Sequence, residues 1–212
     1  MASVPLEPQY GPTLGRLLEP RWRAAAPPAR ALAIVAGIVL LAASIGAVLS
    51  LLDASYSHGG RMPFSFRYRG LYRTAPDPGG YVKVARGSDG RLRDSFAVAP
   101  LRIPRYGGSV TGELPLLAAG YVHGLERRFA GFTLKGEGKT RITSTLAGYD
   151  IRYSTLIGGR KLYGRDVMLL PGGDRVRAGV VIEMLTSERA SVAKPIATQG
   201  VLEKPLKTFL FG

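Results

Sequence analysis

The segment Gly136-Glu137-Gly138-Lys139-Thr140 resembles the end of a nucleotide phosphate-binding loop. Such a loop needs a glycine, any four residues and then Gly-Lys-Ser/Thr, with a strand before it and a helix after it. Here Thr133 occupies the position of the first glycine, and a helical pattern precedes the segment. Spacing and context therefore favour two short strands, 132–135 and 140–144, joined by a glycine turn, over a nucleotide site.

Three acidic residues on strand-like segments, Asp150, Asp166 and Glu183, could act as general acids or bases if two of them faced each other in a pocket. Arginines at positions 152 and 165 offer a simpler interpretation, in which the carboxylates form ion pairs. Local sequence does not decide between the two, although we expect no catalytic residue.

Metal and thiol chemistry have little support in the sequence. His58 and His123 are the only histidines and belong to different segments, so both are expected at the surface rather than in a metal site. The absence of cysteine excludes disulfides, thiol nucleophiles and cysteine-bound metals. We expect no metal and no cofactor.

The chain is strongly basic, with 29 Lys and Arg against 15 Asp and Glu, a net charge of +14. Such a surface attracts polyanions. Nucleic acid is the usual partner of this charge, but the location predicted below argues against it. The expected partners are membrane lipid and a protein or anionic envelope component. The candidate contacts with an anionic surface are Arg67, Arg69, Arg73, Arg152, Arg160, Lys161 and Arg165.

Residues 31–52, ALAIVAGIVLLAASIGAVLSLL, contain no charged side chain. These 22 residues would extend roughly 33 Å as a helix, at about 1.5 Å per residue, which suffices for a bilayer core. The hydrophobic region of a signal peptide is shorter, about 7–15 residues. The pattern therefore predicts a retained transmembrane helix.

The charges that flank this segment predict its orientation. Arg21, Arg23 and Arg30 precede it, whereas Asp53 follows it. Since basic residues stay on the cytoplasmic side, the N-terminus is predicted in the cytoplasm and the C-terminal domain outside the plasma membrane. Together with Trp22, these three arginines are the predicted membrane-interface residues.

The remaining chain divides into three predicted parts. Six prolines in residues 1–30 favour a disordered basic tail, and residues 53–62 form a polar tether. Residues 63–212 alternate strand and helix patterns and predict an α+β domain. Its predicted strands are 64–69, a hairpin over 81–103, 149–155, 161–171, 176–186 and 206–212. Its predicted helices are 113–129, with one apolar stripe, and a shorter one in 186–194.

Four consecutive patterns carry a family resemblance: Glu126-Arg127-Arg128-Phe129 ending a helix, Gly131-Phe132-x-Leu134, Gly138-Lys139-Thr140-Arg141-Ile142 and Gly148-Tyr149-x-Ile151-x-Tyr153. In this succession the chain resembles the Mog/PsbP/LpqN superfamily over roughly residues 64–212. The resemblance implies an α/β/α sandwich around a mostly antiparallel sheet, and binding or assembly factors rather than enzymes. It implies no functional residue at a specific position of this chain.

Three functional hypotheses follow. The first is a membrane-anchored, extracytoplasmic, non-catalytic binding or accessory protein of the bacterial cell envelope. The second is an envelope hydrolase or transferase that uses Asp, Glu and Arg residues of the outer domain. In the third, the helix assembles with other membrane subunits and the domain is only a cap.

Overall fold

The computed structural model describes residues 27–104, 110–143, 146–171, 178–189 and 195–212. The chain divides into two compact units, Met1–Ser50 and Leu51–Gly212. The predicted tail lies almost wholly outside the described residues. In the first unit the structure describes helix α1, which runs over Pro27–Leu51 and ends at the beginning of the second unit.

The expectation of a membrane crossing is not met. Among the described residues, no helix has both the length and the apolar character that crossing a membrane requires. A crossing takes about 20 consecutive apolar residues. The predicted transmembrane helix over 31–52 is therefore wrong, as is the single-pass plasma-membrane localisation with an extracytoplasmic C-terminal domain that depended on it.

The described part of the second unit contains two antiparallel sheets. The larger has seven strands in the order β3-β4-β5-β9-β8-β7-β6, and the smaller has three in the order β1-β2-β10. The strands are β1 (Ala54–His58), β2 (Phe64–Tyr68), β3 (Tyr72–Thr74), β4 (Val82–Ser88), β5 (Arg91–Arg102), β6 (Thr133–Arg141), β7 (Ala147–Ile157), β8 (Arg160–Leu169), β9 (Ala178–Thr186) and β10 (Leu210–Phe211). The helices of this unit are α2 (Val110–Arg128) and α3 (Glu203–Lys207).

The seven-stranded sheet buries a hydrophobic core on each face. Helix α2 packs on one face through the predicted stripe, which includes Leu114, Ala118 and Leu125. The other face is covered by the small sheet and α3, where the Phe66 ring lies 4.9 Å from the Phe96 ring. The layers are therefore α/β/β, and the predicted α/β/α sandwich is wrong on its second side, because β2 buries one alternating face there.

Three segments differ from the sequence-based expectation. Residues 133–141 form one strand, β6, instead of two strands with a turn, because Gly136 leaves room for the guanidinium of Arg152 on the neighbouring strand. Residues 54–58 of the predicted tether pair with β2 as strand β1. The predicted C-terminal strand over 206–212 is reduced to the two residues of β10, because Leu206 and Lys207 belong to α3 and residues 208–209 are not in a strand.

Candidate functional site

Three cationic side chains converge on one exposed carboxylate at the start of the second unit. The antiparallel register of β1 and β2 pairs Ala54 with Tyr68, which brings Asp53 beside Arg69. Lys204 donates a hydrogen bond to Asp53 Oδ1. That bond lowers the pKa of Asp53, and the charges of Arg69 and Arg67 lower it further. We call Asp53, Arg67, Arg69 and Lys204 the Asp53 cluster; it carries three positive charges and one negative charge.

Thr208 connects the short helix α3, which carries Lys204, to strand β2. The Arg67 backbone N–H donates to Thr208 Oγ1 over 2.9 Å, and Thr208 follows directly after α3. The aromatic side chain of Phe209 is fully buried next to it and stacks on Phe64 at 5.5 Å. Because these contacts fix the short helix on the small sheet, a lysine remote in sequence joins the predicted Arg67 and Arg69.

The structure distributes the other predicted basic residues over separate places. Arg73 lies on β3 with its guanidinium 5.1 Å from the centre of the Tyr56 ring. Arg160 and Lys161 are exposed at the start of β8, which lies four strands away from β3 in the large sheet. At about 4.8 Å per strand, the two strands are about 19 Å apart. The seven predicted contacts therefore do not form one patch.

Arg165 is buried and has its own partners. Its Nε donates to Asp150 Oδ2 over 3.0 Å, and its Nη1 donates to the carbonyl of Ile196 over 2.9 Å. Arg152 Nε lies 3.3 Å from the other oxygen of the same carboxylate. The interpretation of Asp150 as an ion-pair partner agrees with this geometry, and Arg165 holds the sheet against the segment at Ile196.

The other two acidic candidates, Asp166 and Glu183, lie side by side on adjacent strands of the sheet. They are direct cross-strand partners on β8 and β9. Asp166 is 0% exposed. The Tyr121 hydroxyl on helix α2 lies 3.0 Å from Asp166 Oδ2 and 3.1 Å from Glu183 Oε1, and the Tyr153 hydroxyl lies 3.3 Å from Asp166 Oδ1. One tyrosine hydroxyl therefore joins both carboxyl groups.

Burial dominates the protonation of this group. Burial raises the pKa of Asp166 well above its ordinary value, and the charge of Glu183 raises it further. Burial likewise raises the pKa of Tyr121 and of Tyr153, with the Asp166 carboxyl contributing to both. The two hydroxyls therefore keep their protons, and the neutral form of Asp166 is favoured.

A groove of about 620 Å³ lies beside this group, on the part of the sheet next to the end of α2. Arg128 stands in its wall and bridges two acidic residues, with Nη2 2.8 Å from Asp77 Oδ2 and Nη1 3.2 Å from Glu183 Oε2. The small side chains of Ala97 and Ala99 also line it. Glu183 thus connects the groove to the buried Asp166.

The two histidines have different surroundings. His123 is exposed on α2, as the helical pattern predicted, and it bonds to Glu126. His58 is only partly exposed, since its ring stacks on Phe64 at 5.0 Å and lies 4.4 Å from Tyr81. Within the described ranges, no three His, Asp or Glu side chains form a metal-binding group.

Sequence reasoning missed two residues of these sites. Lys204 lacks a local signal, because it meets Arg67 only through the docking of α3. Tyr121 lies within the predicted helix 113–129, and its polar hydroxyl was the available signal, since a buried tyrosine hydroxyl needs a partner. Arg21, Trp22 and Arg23 lie outside the described residues, as does the side chain of Arg30.

Comparisons with known proteins give limited similarity. No family model matches the chain, and no curated protein matches it. LpqN of Mycobacterium tuberculosis, involved in cell envelope biogenesis, is similar in structure with a TM-score of 0.48 and 9% identity, over 75% of this chain and 91% of LpqN. PA94 from Pseudomonas aeruginosa, a protein of unknown function, has a TM-score of 0.33 and 14% identity, over 63% of this chain and 82% of PA94. Both TM-scores are below 0.5, and neither similarity assigns a function to this chain.

Proposed function

We propose that this chain is a non-catalytic accessory protein of the cell envelope that binds a phosphate-bearing polyanion through the Asp53 cluster. The observation that carries the proposal is the convergence of Arg67, Arg69 and Lys204 on one exposed carboxylate, which leaves two positive charges uncompensated. Each basic residue near an anionic surface contributes about 1 kcal/mol of attraction. Phosphate-bearing lipids and polymers are abundant in the envelope, which makes it the proposed setting.

A hydrolase or transferase is the second candidate, and the pairing of Asp166 with Glu183 favours it, because two carboxyl groups in different environments can serve as acid and base. Two features weigh against catalysis. Asp166 is fully buried and reaches solvent only through other side chains, and Glu183 is held by Arg128. A substrate in the groove would meet an ion pair instead of a free base.

The binding test uses the full chain and phosphatidylcholine vesicles with and without phosphatidylglycerol, with soluble polyphosphate as competitor. The double variant Arg67→Glu/Arg69→Glu removes two contacts worth about 1 kcal/mol each, so its affinity for anionic vesicles should fall at least about 30-fold. Loss of vesicle binding on addition of polyphosphate would identify phosphate as the recognised group. Binding to anionic vesicles that persists under polyphosphate would assign recognition to the lipid surface itself.

The matched control is Arg91→Glu/Arg127→Glu, which makes the same change in net charge at two exposed positions outside the cluster. It should retain most of the affinity if the Asp53 cluster is the contact. An equal loss in both double variants would show that only the overall charge of the protein matters, and the assignment to the cluster would be wrong.

A further inference from the structure

The single hydroxyl proton of Tyr121 limits the protonation states that Asp166 and Glu183 can adopt together. The Tyr121 hydroxyl is within hydrogen-bond distance of Asp166 Oδ2 and of Glu183 Oε1. A tyrosine hydroxyl has one proton and can donate to only one of these oxygens. If both carboxylates were ionised, one oxygen would face a lone pair of the tyrosine instead of a proton.

A single additional proton on Asp166 resolves this conflict. Protonated Asp166 donates from Oδ2 to the Tyr121 hydroxyl, which donates to Glu183 Oε1. The Tyr153 hydroxyl donates to Asp166 Oδ1, and Arg128 donates to Glu183 from the groove side. Each carboxyl oxygen and each tyrosine hydroxyl of this side-chain network then has a partner of the correct type. This continuous path links a fully buried acid to a partly exposed carboxylate.

The groups that face Asp166 come from three elements. Helix α2 contributes Tyr121, strand β7 contributes Tyr153 and strand β9 contributes Glu183. Arg128 of helix α2 acts on Asp166 only indirectly, because it bonds to Glu183. Arg128 bonds to Glu183 and Asp77 and has no bond to Asp166 among the described contacts. Asp77 is in turn bonded to Lys83. Among the described residues, an ionised Asp166 would therefore have no cation in direct contact.

We infer that Asp166, Tyr121 and Glu183 form a proton-controlled latch that holds helix α2 on the sheet. With the proton in place, the helix is tied to β8 and β9 through Tyr121. After its loss, the carboxylates of the buried Asp166 and the partly exposed Glu183 compete for one hydroxyl, and separation of Tyr121 from the sheet admits the water that the second charge needs. The latch lies on the α2 face of the sheet, so it is independent of the Asp53 cluster and of the polyanion proposal.

The direction of the pH effect follows from where the proton binds. Asp166 binds its proton more tightly in the closed state than in the open state, where an aspartate has its ordinary pKa near 4. The closed state is therefore fully favoured below the open-state pKa and weakens as the pH rises. The opening constant should rise about tenfold per pH unit between the two pKa values and level off above that of the closed state.

Two measurements on the full chain test the latch. Carbon-13 NMR of the aspartate side chains should show one buried carboxyl that stays neutral well above pH 4, and Asp166→Asn should remove that signal. Amide hydrogen exchange in helix α2, corrected for intrinsic exchange rates, should give the tenfold rise per pH unit. Asp166→Asn should abolish this slope, since its amide can donate to Tyr121 and accept from Tyr153 at any pH.

Asp89→Asn is the matched control, because it makes the same chemical change in the exposed turn between β4 and β5; it should leave the slope unchanged. If Asp166→Asn does not fold, Glu183→Gln still decides the matter. It removes a charge that raises the pKa of Asp166 and should therefore lower the midpoint of that carboxyl. An ionised Asp166 at neutral pH, or an α2 slope that survives Asp166→Asn, would overturn the latch.

Discussion

Replacing Gly164 with alanine should displace the aromatic ring of Tyr153, whose hydroxyl bonds to the buried Asp166. Gly164 is the direct cross-strand partner of Tyr153. A Cβ at position 164 would lie 2.2 Å from Tyr153 Cζ and 2.3 Å from Cε2, whereas ordinary contacts begin at 3.4 Å. The ring must therefore move by about 1.2 Å, the difference between 3.4 and 2.2 Å. Tyr153 is buried and packs on Phe129 and Phe132, so little free space is available.

The expected cost has two parts. Overpacking of a core costs about 1–3 kcal/mol, and loss of the 3.3 Å hydrogen bond from Tyr153 to Asp166 adds about 1 kcal/mol. Gly164→Ala should therefore lower the free energy of unfolding by about 2–4 kcal/mol. For a domain of this size that corresponds to a fall in Tm of roughly 5–15 °C. Urea denaturation followed by circular dichroism measures the first quantity, and calorimetry measures the second.

Gly138→Ala is the matched control. It lies in the same sheet, and a Cβ at that position would meet nothing within 4 Å. Its stability should stay the same or rise by about 0.4–1 kcal/mol, because alanine restricts the unfolded chain. A double variant, Gly164→Ala/Tyr153→Leu, should recover part of the loss if the ring is the cause. The packing argument fails if Gly164→Ala is as stable as the control.

Two further changes test other parts of the core. Asp150→Ala should lower the free energy of unfolding by about 3–5 kcal/mol, because it leaves the guanidinium of Arg165 without its counter-charge. Arg165 is only 7% exposed, so water cannot replace that partner. A loss below about 1 kcal/mol in chemical denaturation would contradict the importance of this pair. Phe96→Ala should cost about 3–5 kcal/mol, because the fully buried ring packs on Phe66. Tyr72→Ala, at a side chain that is 73% exposed, should change stability by less than about 0.5 kcal/mol in the same assay.

Local sequence predicted the elements whose stability depends on regular spacing. The stripe of helix α2 was predicted from apolar residues that recur every three to four positions, and Leu114, Ala118 and Leu125 are buried as expected. The β4–β5 hairpin was predicted from its Gly and Asp residues, and Asp89 and Gly90 both have positive φ, as a two-residue hairpin turn requires. These features depend on neighbours within one helical turn or one β-turn.

Features that depend on distant partners escaped prediction. The glycines of β6 indicated a turn, but a strand tolerates them where a neighbouring arginine fills the space above Gly136. The apposition of Asp166 and Glu183 depends on the register of β8 and β9, which no local pattern fixes. An aspartate immediately before the apolar run Val167–Leu169 was the one clue that a buried acid needed partners.

Strand β6 ends the seven-stranded sheet, and among the described strands only β7 pairs with it. Its charged residues occupy every second position and are Lys135, Glu137, Lys139 and Arg141. If the β6 strands of two molecules paired antiparallel about Glu137, that residue would face its own copy and Lys135 would face Lys139. Like charges directly opposite each other are unfavourable, and natural proteins protect free edges in this way. In that register, edge-to-edge pairing of two molecules through this nine-residue strand is therefore unfavourable, which opposes growth of the sheet from one molecule into the next.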